Sequence, residues 1–153
     1  MNKPKPSRET VKAIIVFGDR LLLQLRDTGK RIYYPGFWGF FGGDLEPDEA
    51  PEEGLKRELA EELALSDFVF EKIFTWKNPE TSTRLHYFLV PLERTPEDLP
   101  LYEGMAKRLF RLGEIDRLTV TPDFFVVKEK IRMLLNDGSP VVGDPGGSVP
   151  RQH

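Results

Sequence analysis

The order of elements along this 153-residue chain predicts an α/β (α+β) sandwich around a mixed sheet. Three observations carry that expectation. Apolar, β-branched runs open the chain, an amphipathic helix interrupts them, and further strands precede a second amphipathic helix. Both faces of such a sheet need cover, and helices on the two faces supply it. The length suits one domain.

Val11–Phe17 is mostly apolar and β-branched, and Gly18-Asp19 separates it from the apolar run Leu21–Leu25, which together read as a hairpin. Asp27-Thr28-Gly29-Lys30 breaks the pattern. Phe37–Phe41 reads as a short strand leading into Gly42-Gly43. Phe68–Trp76 and Arg84–Val90 are the next two strands, with Asn78-Pro79 starting their connection. Pro91–Gly104 is polar and proline-bearing and is expected to be a long loop without secondary structure, the kind that often carries function. A short helical turn is expected over Gly113–Arg117. Thr121-Pro122-Asp123 then opens the last helix as cap, first-turn proline and dipole-complementing acid. Phe124, Val127, Ile131, Leu134 and Leu135 recur on its sheet-facing side. Residues 1–10 read as a loose arm, 11–135 as the folded domain, and 136–153 as a disordered Pro/Gly-rich tail, because little apolar content there offsets the entropy of ordering.

Composition excludes several function classes. The chain has no Cys, so it has no disulfide framework, thiolate nucleophile or thiolate metal site. Its histidines are His86 and His153, too few for a zinc site built on imidazoles. A net charge of −3 without a long basic patch argues against binding nucleic acid. No apolar run approaches membrane-spanning length and the N-terminus lacks a signal-peptide core, so a soluble cytoplasmic protein is expected.

The informative segment is Ala50–Leu63, APEEGLKRELAEEL. Asp48 is the expected N-cap. Pro51 is tolerated near the start, and Glu52 and Glu53 suit the positive end of the dipole. Gly54 weakens the helix by about 1 kcal/mol unless it permits a close backbone approach. At 100° per residue Leu55, Leu59 and Leu63 form an apolar stripe, with Glu58, Glu61 and Glu62 beside it over about 100° of the wheel. Like charges one turn apart repel. A hard divalent cation reverses that sign, because Mg²⁺ takes a few carboxylates plus substrate phosphates. The plain alternative is a solvated acidic face. Arg57 can pair with Glu53 or Glu61 at four-residue spacing.

Gly43, five residues, Glu49, seven residues, Arg57-Glu58-Leu59, one residue, Glu61-Glu62, one residue and Ala64-Leu65 resembles the Nudix box over 23 positions. Ala64 stands where the family has Gly, and Phe41 where many members have Pro. The resemblance implies a Nudix-like α/β/α sandwich around a mixed β-sheet. It implies a Gly43 carbonyl and the Glu58, Glu61 and Glu62 carboxylates as ligands of Mg²⁺, with Mn²⁺ able to substitute. It implies Glu49 and Arg57 as a brace of the loop, with Gly42 supporting that loop. Glu103 is the later-loop acid for metal or base work, and Glu61 the first choice for activating water. Glu58, Glu61, Glu103 and Arg57 are thus the expected catalytic set. The implied activity is hydrolysis of a phosphoanhydride in a nucleoside diphosphate derivative: a nucleotide sugar, an ADP-ribose-like molecule or a nucleoside triphosphate. A Nudix-like module that binds a nucleotide without cleaving it is the alternative, against which the intact acids argue. The expected partner is a small-molecule nucleotide, and a homodimer is the base-rate oligomer.

Tyr33, Tyr34, Phe37 and Trp38 precede the two glycines and can stack on a base or pack at the core edge; Tyr34 and Trp38 are the substrate-binding candidates, and Trp76 faces the same choice. Arg26, Lys30 and Arg31 can hold phosphate or simply form a solvated rim. Arg84, His86 and Phe88 share one side of their strand, which is expected to form the substrate floor, with Arg84 as a contact. Neither His86 nor His153 is given a catalytic role.

Overall fold

The computed structural model describes residues 8–29 and 33–136. The expected arm up to residue 7, Lys30, Arg31 and the tail from residue 137 lie outside the described residues. The elements run β1 (Glu9–Phe17), β2 (Arg20–Leu25), β3 (Trp38–Gly39), β4 (Phe41–Asp44), α1 (Pro51–Leu63), β5 (Glu71–Asn78), β6 (Thr83–Pro91), β7 (Ala106–Arg111), α2 (Leu112–Ile115) and α3 (Asp123–Asn136). Among them no helix is long and apolar enough to cross a membrane.

The sheet order is β3-β2-β1-β6-β5, with β4 also on β1 and β7 on β2. β1 and β6 are parallel and the other pairs antiparallel, so the sheet is mixed. Strand alternation divides the core into two layers. Val11, Ala13, Ile15, Phe41 and Phe88 point to one face, where Leu55, Leu59 and Leu63 of α1 cover them. Ile14, Val16, Leu21, Leu23 and Tyr87 point to the other, covered by Phe124, Val127 and Ile131 of α3. This is the expected α/β/α sandwich. Every leucine of the α1 stripe is fully buried.

Local departures from the sequence reading have physical causes. β1 begins at Glu9, because its first residues still pair with Arg84 and Leu85 of β6. Phe37–Phe41 divides into β3 and β4, which pair with different strands. β5 starts at Glu71 rather than at Phe68; Phe68 and Phe70 instead pack their rings against the α1-side core. The Pro91–Gly104 segment contains a 3₁₀ turn at Pro96–Asp98, and Leu99 anchors it in the core. The short helix is α2, one residue earlier than expected at its start. The N-cap of α1 is Ala50, not Asp48. Glu53 accepts a hydrogen bond from the Ala50 N–H at 3.1 Å, while Asp48 occupies a left-handed turn position, φ 65°. Thr121 Oγ1 donates to Asp123 rather than capping a backbone N–H.

Ala64 ends α1 in the left-handed region, φ 54° and ψ 33°, with its N–H on the Ala60 carbonyl at 3.0 Å. A Cβ at such a position costs roughly 1–2 kcal/mol relative to Gly. Ala64→Gly is therefore expected to raise stability by about 1 kcal/mol, with no change at the acidic face. Urea unfolding of the two proteins checks it: an unchanged or lower midpoint contradicts the assignment of strain to Ala64.

Candidate active site

The helix α1 lies on one face of the sheet, and two of its carboxylates, Glu58 and Glu62, meet the backbone of β4. The two glycines make this possible. A Cβ on Gly43 would sit 2.5 Å from the Glu58 carboxylate, and a Cβ on Gly42 would sit 2.0 Å from the Val11 carbonyl oxygen. Gly42 also has φ +143°, in the half of the map that disfavours side chains. The missing side chains leave a slot, and the Gly42 N–H donates through it to Glu62 Oε1 at 3.1 Å.

Glu62 is fully buried, and its second oxygen, Oε2, has no hydrogen-bond partner. Burial pushes its carboxyl up to about 9, helped by the nearby charges of Glu103 and Glu58. Glu58 is also raised by burial, although Arg57 pulls in the opposite direction. Glu103 joins these two from the loop after β6: ligand oxygens of Glu58, Glu62 and Glu103 lie within 4.8 Å of one another. Its loop is pinned on both sides, by Tyr102 N–H on the Glu62 carbonyl at 2.9 Å and Met105 N–H on the Leu25 carbonyl at 2.8 Å.

This constellation fits a hard divalent cation. All donors are oxygens, the charges repel unless neutralised, and an orphaned buried carboxylate oxygen has no other partner. Glu58, Glu62 and Glu103 could hold the ion, with Gly43 packed against the Glu58 carboxylate. Glu61 does not join the trio. It is exposed, and its carboxylate reaches Arg57 at 3.4 Å.

Arg57 ties the loop to the helix. Its Nε and Nη2 fork onto the two oxygens of Glu49 at 2.8 and 2.9 Å. Nη2 also donates to the Asp44 carbonyl at 3.0 Å, and Nη1 to Glu58 Oε2 at 2.8 Å. The Arg57 hydrogen bond lowers the Glu49 carboxyl to about 2, and the same contact raises the guanidinium. Glu53, used in capping α1, is not a partner. Gly54 lets the loop close on the helix, since a Cβ there would meet Leu45 at 2.2 Å. Arg57→Lys keeps the charge but loses the fork. The expected result is a roughly 10–100-fold weaker response to divalent metal, with a smaller change in unfolding midpoint. Metal titration followed by thermal unfolding checks it; equal affinity in the two proteins contradicts the bracing role.

A cleft of about 330 Å³ runs from Gly42, Gly43 and Glu103 across β1 to the start of α3. That size suits a small-molecule site. Arg26 and Tyr34 line it, as does Trp76. Arg26 Nε also donates to the Tyr33 carbonyl at 2.8 Å, strapping the loop at the cleft mouth.

Trp38 and Arg84 lie outside the lining. Trp38 packs edge-on against Phe110, with centroids 5.0 Å apart. Arg84 is exposed, at the same parity on β6 as Phe88, whereas the cleft is lined by Thr83 and Leu85, the opposite parity. His86 is also on the Arg84 side. Lys72 can only donate to its Nδ1, at 3.1 Å, which leaves Nε2 to donate to Glu9 at 2.7 Å. This is a structural histidine.

Sequence reasoning passed over Thr10, Lys12, Asp44 and Asp123, all in the lining. Lys12 carried a signal, as a charge within the apolar run Val11–Phe17. Burial on the cleft floor lowers its ammonium, against the opposing pull of Asp123, Glu62 and Asp44. Asp123 is buried and accepts from Tyr87 Oη at 2.7 Å and Thr121 Oγ1 at 2.6 Å.

The NUDIX domain profile matches residues 6–128. The CTP pyrophosphohydrolase of Escherichia coli K12 is 38% identical over 86 residues, covering 54% of this chain and 62% of that protein. Nucleoside triphosphatase NudI of Escherichia fergusonii is 32% identical over 69 residues, covering 45% of this chain and 48% of that protein. The match thus spans less than two thirds of either relative. Among solved structures, the E. coli ORF135 protein superposes with a TM-score of 0.67 at 26% identity, over 84% of this chain and 91% of that one. The MutT protein of Methanosarcina mazei Go1 gives 0.71 at 23% identity, over 88% and 99%, and shares the fold.

Proposed function

The chain belongs to the Nudix family, and from that premise we propose that it hydrolyses a phosphoanhydride of a nucleoside triphosphate to the monophosphate and pyrophosphate. The single observation that carries the reading is the convergence of Glu58, Glu62 and Glu103 at the two-glycine loop, at the end of a nucleotide-sized cleft. The triphosphate is preferred to a nucleotide sugar or an ADP-ribose-like molecule because two relatives are named for activity on triphosphates.

Glu58, Glu62 and Glu103 would hold a magnesium ion, which when bound would neutralise phosphate charge, most of what phosphoryl transfer needs. The rest falls to the chain. Arg57 and Glu49 keep the loop and helix in register, so that the carboxylates stay aimed. Arg26 and Lys12 offer cations along the cleft to the phosphates and base. Trp76 and Leu85 supply apolar surface for the base, with Tyr34 at the mouth. Water attacks phosphorus as the bond to the departing pyrophosphate breaks, and one proton must leave that water. Glu103, the exposed member of the trio, takes it; Glu61 is turned to Arg57 instead.

A panel of the nucleoside triphosphates, a nucleotide sugar and ADP-ribose with Mg²⁺, read by product identity, tests the reading. Monophosphate and pyrophosphate from a triphosphate are expected, and Glu103→Gln is expected to reduce kcat by about 100-fold or more. Tight nucleotide binding without turnover would instead establish a binding module. A full rate in Glu103→Gln with loss in Glu61→Gln would move the base to Glu61.

A further inference from the structure

Gln24 is the one buried polar residue of β2, 4% exposed and next to the buried run Leu21–Leu23. An amide so enclosed needs partners, because an unpaired buried polar group costs free energy. Leu22 packs in the core under α1, and Gln24, two residues on, points to the same face. Its Nε2 donates to the Phe40 carbonyl at 3.2 Å. Phe40 sits at the break between β3 and β4, directly before Phe41-Gly42-Gly43.

The other end of the amide backs the loop that carries Glu103. Gly104 has φ +90°, and a Cβ there would stand 2.6 Å from Gln24 Oε1 and 3.1 Å from the Leu25 carbonyl oxygen. The contacts close a ring. Gln24 holds Phe40; Gly42, two residues on, donates to Glu62 Oε1; the Glu62 carbonyl accepts from Tyr102; and Gly104, two residues on, returns to Gln24. Glu62 and Glu103 both belong to this ring. Within it, Gln24 joins the glycine strand to the Glu103 loop without passing through α1. Gln24 is absent from the cleft lining, so it acts through Glu103 rather than on a substrate.

We propose that Gln24 is a positioning residue for the acidic trio: its amide, wedged between the Phe40 carbonyl and Gly104, sets where Glu103 stands relative to Glu58 and Glu62. Glu58 and Glu62 ride on α1, whereas Glu103 comes from a loop, so its placement depends on what backs that loop. An aliphatic side chain of the same length fills the space but leaves the Phe40 carbonyl without its donor, and the glycine strand is then free to shift against the loop. A shorter side chain leaves Gly104 unsupported. A group that orients ligands in this way governs metal affinity and rate without touching the ion. The effect on rate rests on the hydrolase reading; the effect on metal binding rests on the acidic trio alone.

The test uses the full chain and three readouts. Mn²⁺ binding without nucleotide is titrated by electron paramagnetic resonance, kcat and KM are measured for the nucleoside triphosphates with Mg²⁺, and the melting temperature in EDTA reports folding separately. Gln24→Met keeps the length without the amide, and Gln24→Asn keeps the amide one methylene short. Gln24→Met is expected to weaken Mn²⁺ binding by roughly 10-fold or more, and to lower kcat roughly 10–100-fold with KM changed by less than about 3-fold. Gln24→Asn should fall between it and the unmodified protein. An unaltered Mn²⁺ affinity in folded Gln24→Met overturns the proposal whatever the rate, and so does a kinetic loss that falls on KM alone. If Gln24→Met melts below the assay temperature, Gln24→Asn decides: weakened Mn²⁺ binding supports the role and an unchanged affinity overturns it. Weakened Mn²⁺ binding in the variants with no turnover of any triphosphate by the unmodified protein supports the role of Gln24 and overturns the hydrolase reading. Turnover at the unmodified rate in Gln24→Met does the reverse.

Discussion

Glu62→Gln is expected to lower kcat/KM by at least about 100-fold and, at the same time, to stabilise the metal-free protein at neutral and alkaline pH. The two effects share one cause. Glu62 is fully buried, has an unpartnered Oε2, and keeps its proton up to about 9 against an ordinary value of 4.5. Between those values the unfolded chain has released a proton that the folded chain retains. The unfolded state then binds fewer protons, so metal-free stability falls as pH rises from about 4.5 to about 9, where it levels off. A neutral amide has no proton to lose, and the slope flattens. Metal binding needs the ionised carboxylate, so it competes with the proton and strengthens with pH through the same window. At 100 times its dissociation constant a bound ion adds about 2.7 kcal/mol to the stability of the unmodified protein, and the variant should lose most of that gain. Thermal unfolding from pH 5 to 9, with EDTA and with Mg²⁺, reads both. A variant with the same pH slope and the same Mg²⁺ shift contradicts this account of Glu62.

Gly42→Ala is expected to damage the fold itself. The added Cβ would stand 2.0 Å from the Val11 carbonyl oxygen, 2.9 Å from its carbon and 3.0 Å from the Lys12 Cα. These are backbone atoms of the central strand β1, held by β6 on the other side, and they cannot step back. The φ of +143° adds its own penalty. A loss above about 3 kcal/mol follows, large against the 5–15 kcal/mol of an ordinary domain. Gly18 is the control: it also has positive φ, +63°, but nothing lies within 4 Å of its Cβ position. Gly18→Ala should cost only about 1–2 kcal/mol. Urea midpoints of the two variants separate the clash from the dihedral. Equal losses would show that the contact with Val11 is relieved in some way the backbone geometry does not suggest.

The two helices were legible because a 3.6-residue period is local. Leu55, Leu59 and Leu63, and Phe124, Val127 and Ile131, announce their buried faces without reference to the rest of the chain. The spacing of the box acids was legible for the same reason, whereas the Arg57–Glu49 brace came from the resemblance alone; four-residue spacing pointed Arg57 to Glu53 or Glu61, and its fork goes to Glu49. Glu103 was legible only through that resemblance, since the loop that carries it meets α1 by a tertiary contact, Tyr102 to Glu62. Arg84, His86 and Phe88 do share one parity, but the cleft opens at the other, where Thr83 and Leu85 line it. Which side opens depends on where the helices stop along the sheet, and no strand reports that alone. Lys12 and Asp123 were hidden differently. One sits in a run whose apolar character dominates, and the other looks like an ordinary helix-dipole acid until Tyr87 and Thr121 are seen to hold it. Glu61, at matching helical spacing, turns to Arg57, a choice of side-chain direction that spacing does not reach.

The claim on which the rest depends is that the buried acids of α1 and the loop acid Glu103 share one divalent ion beside Gly43. A crystal soaked in Mn²⁺ and measured for anomalous scattering tests it most directly. The account predicts a peak within ligand distance, about 2.0–2.3 Å, of oxygens from at least two of Glu58, Glu62 and Glu103. A well-ordered soaked crystal with manganese elsewhere and no peak among those oxygens would contradict it.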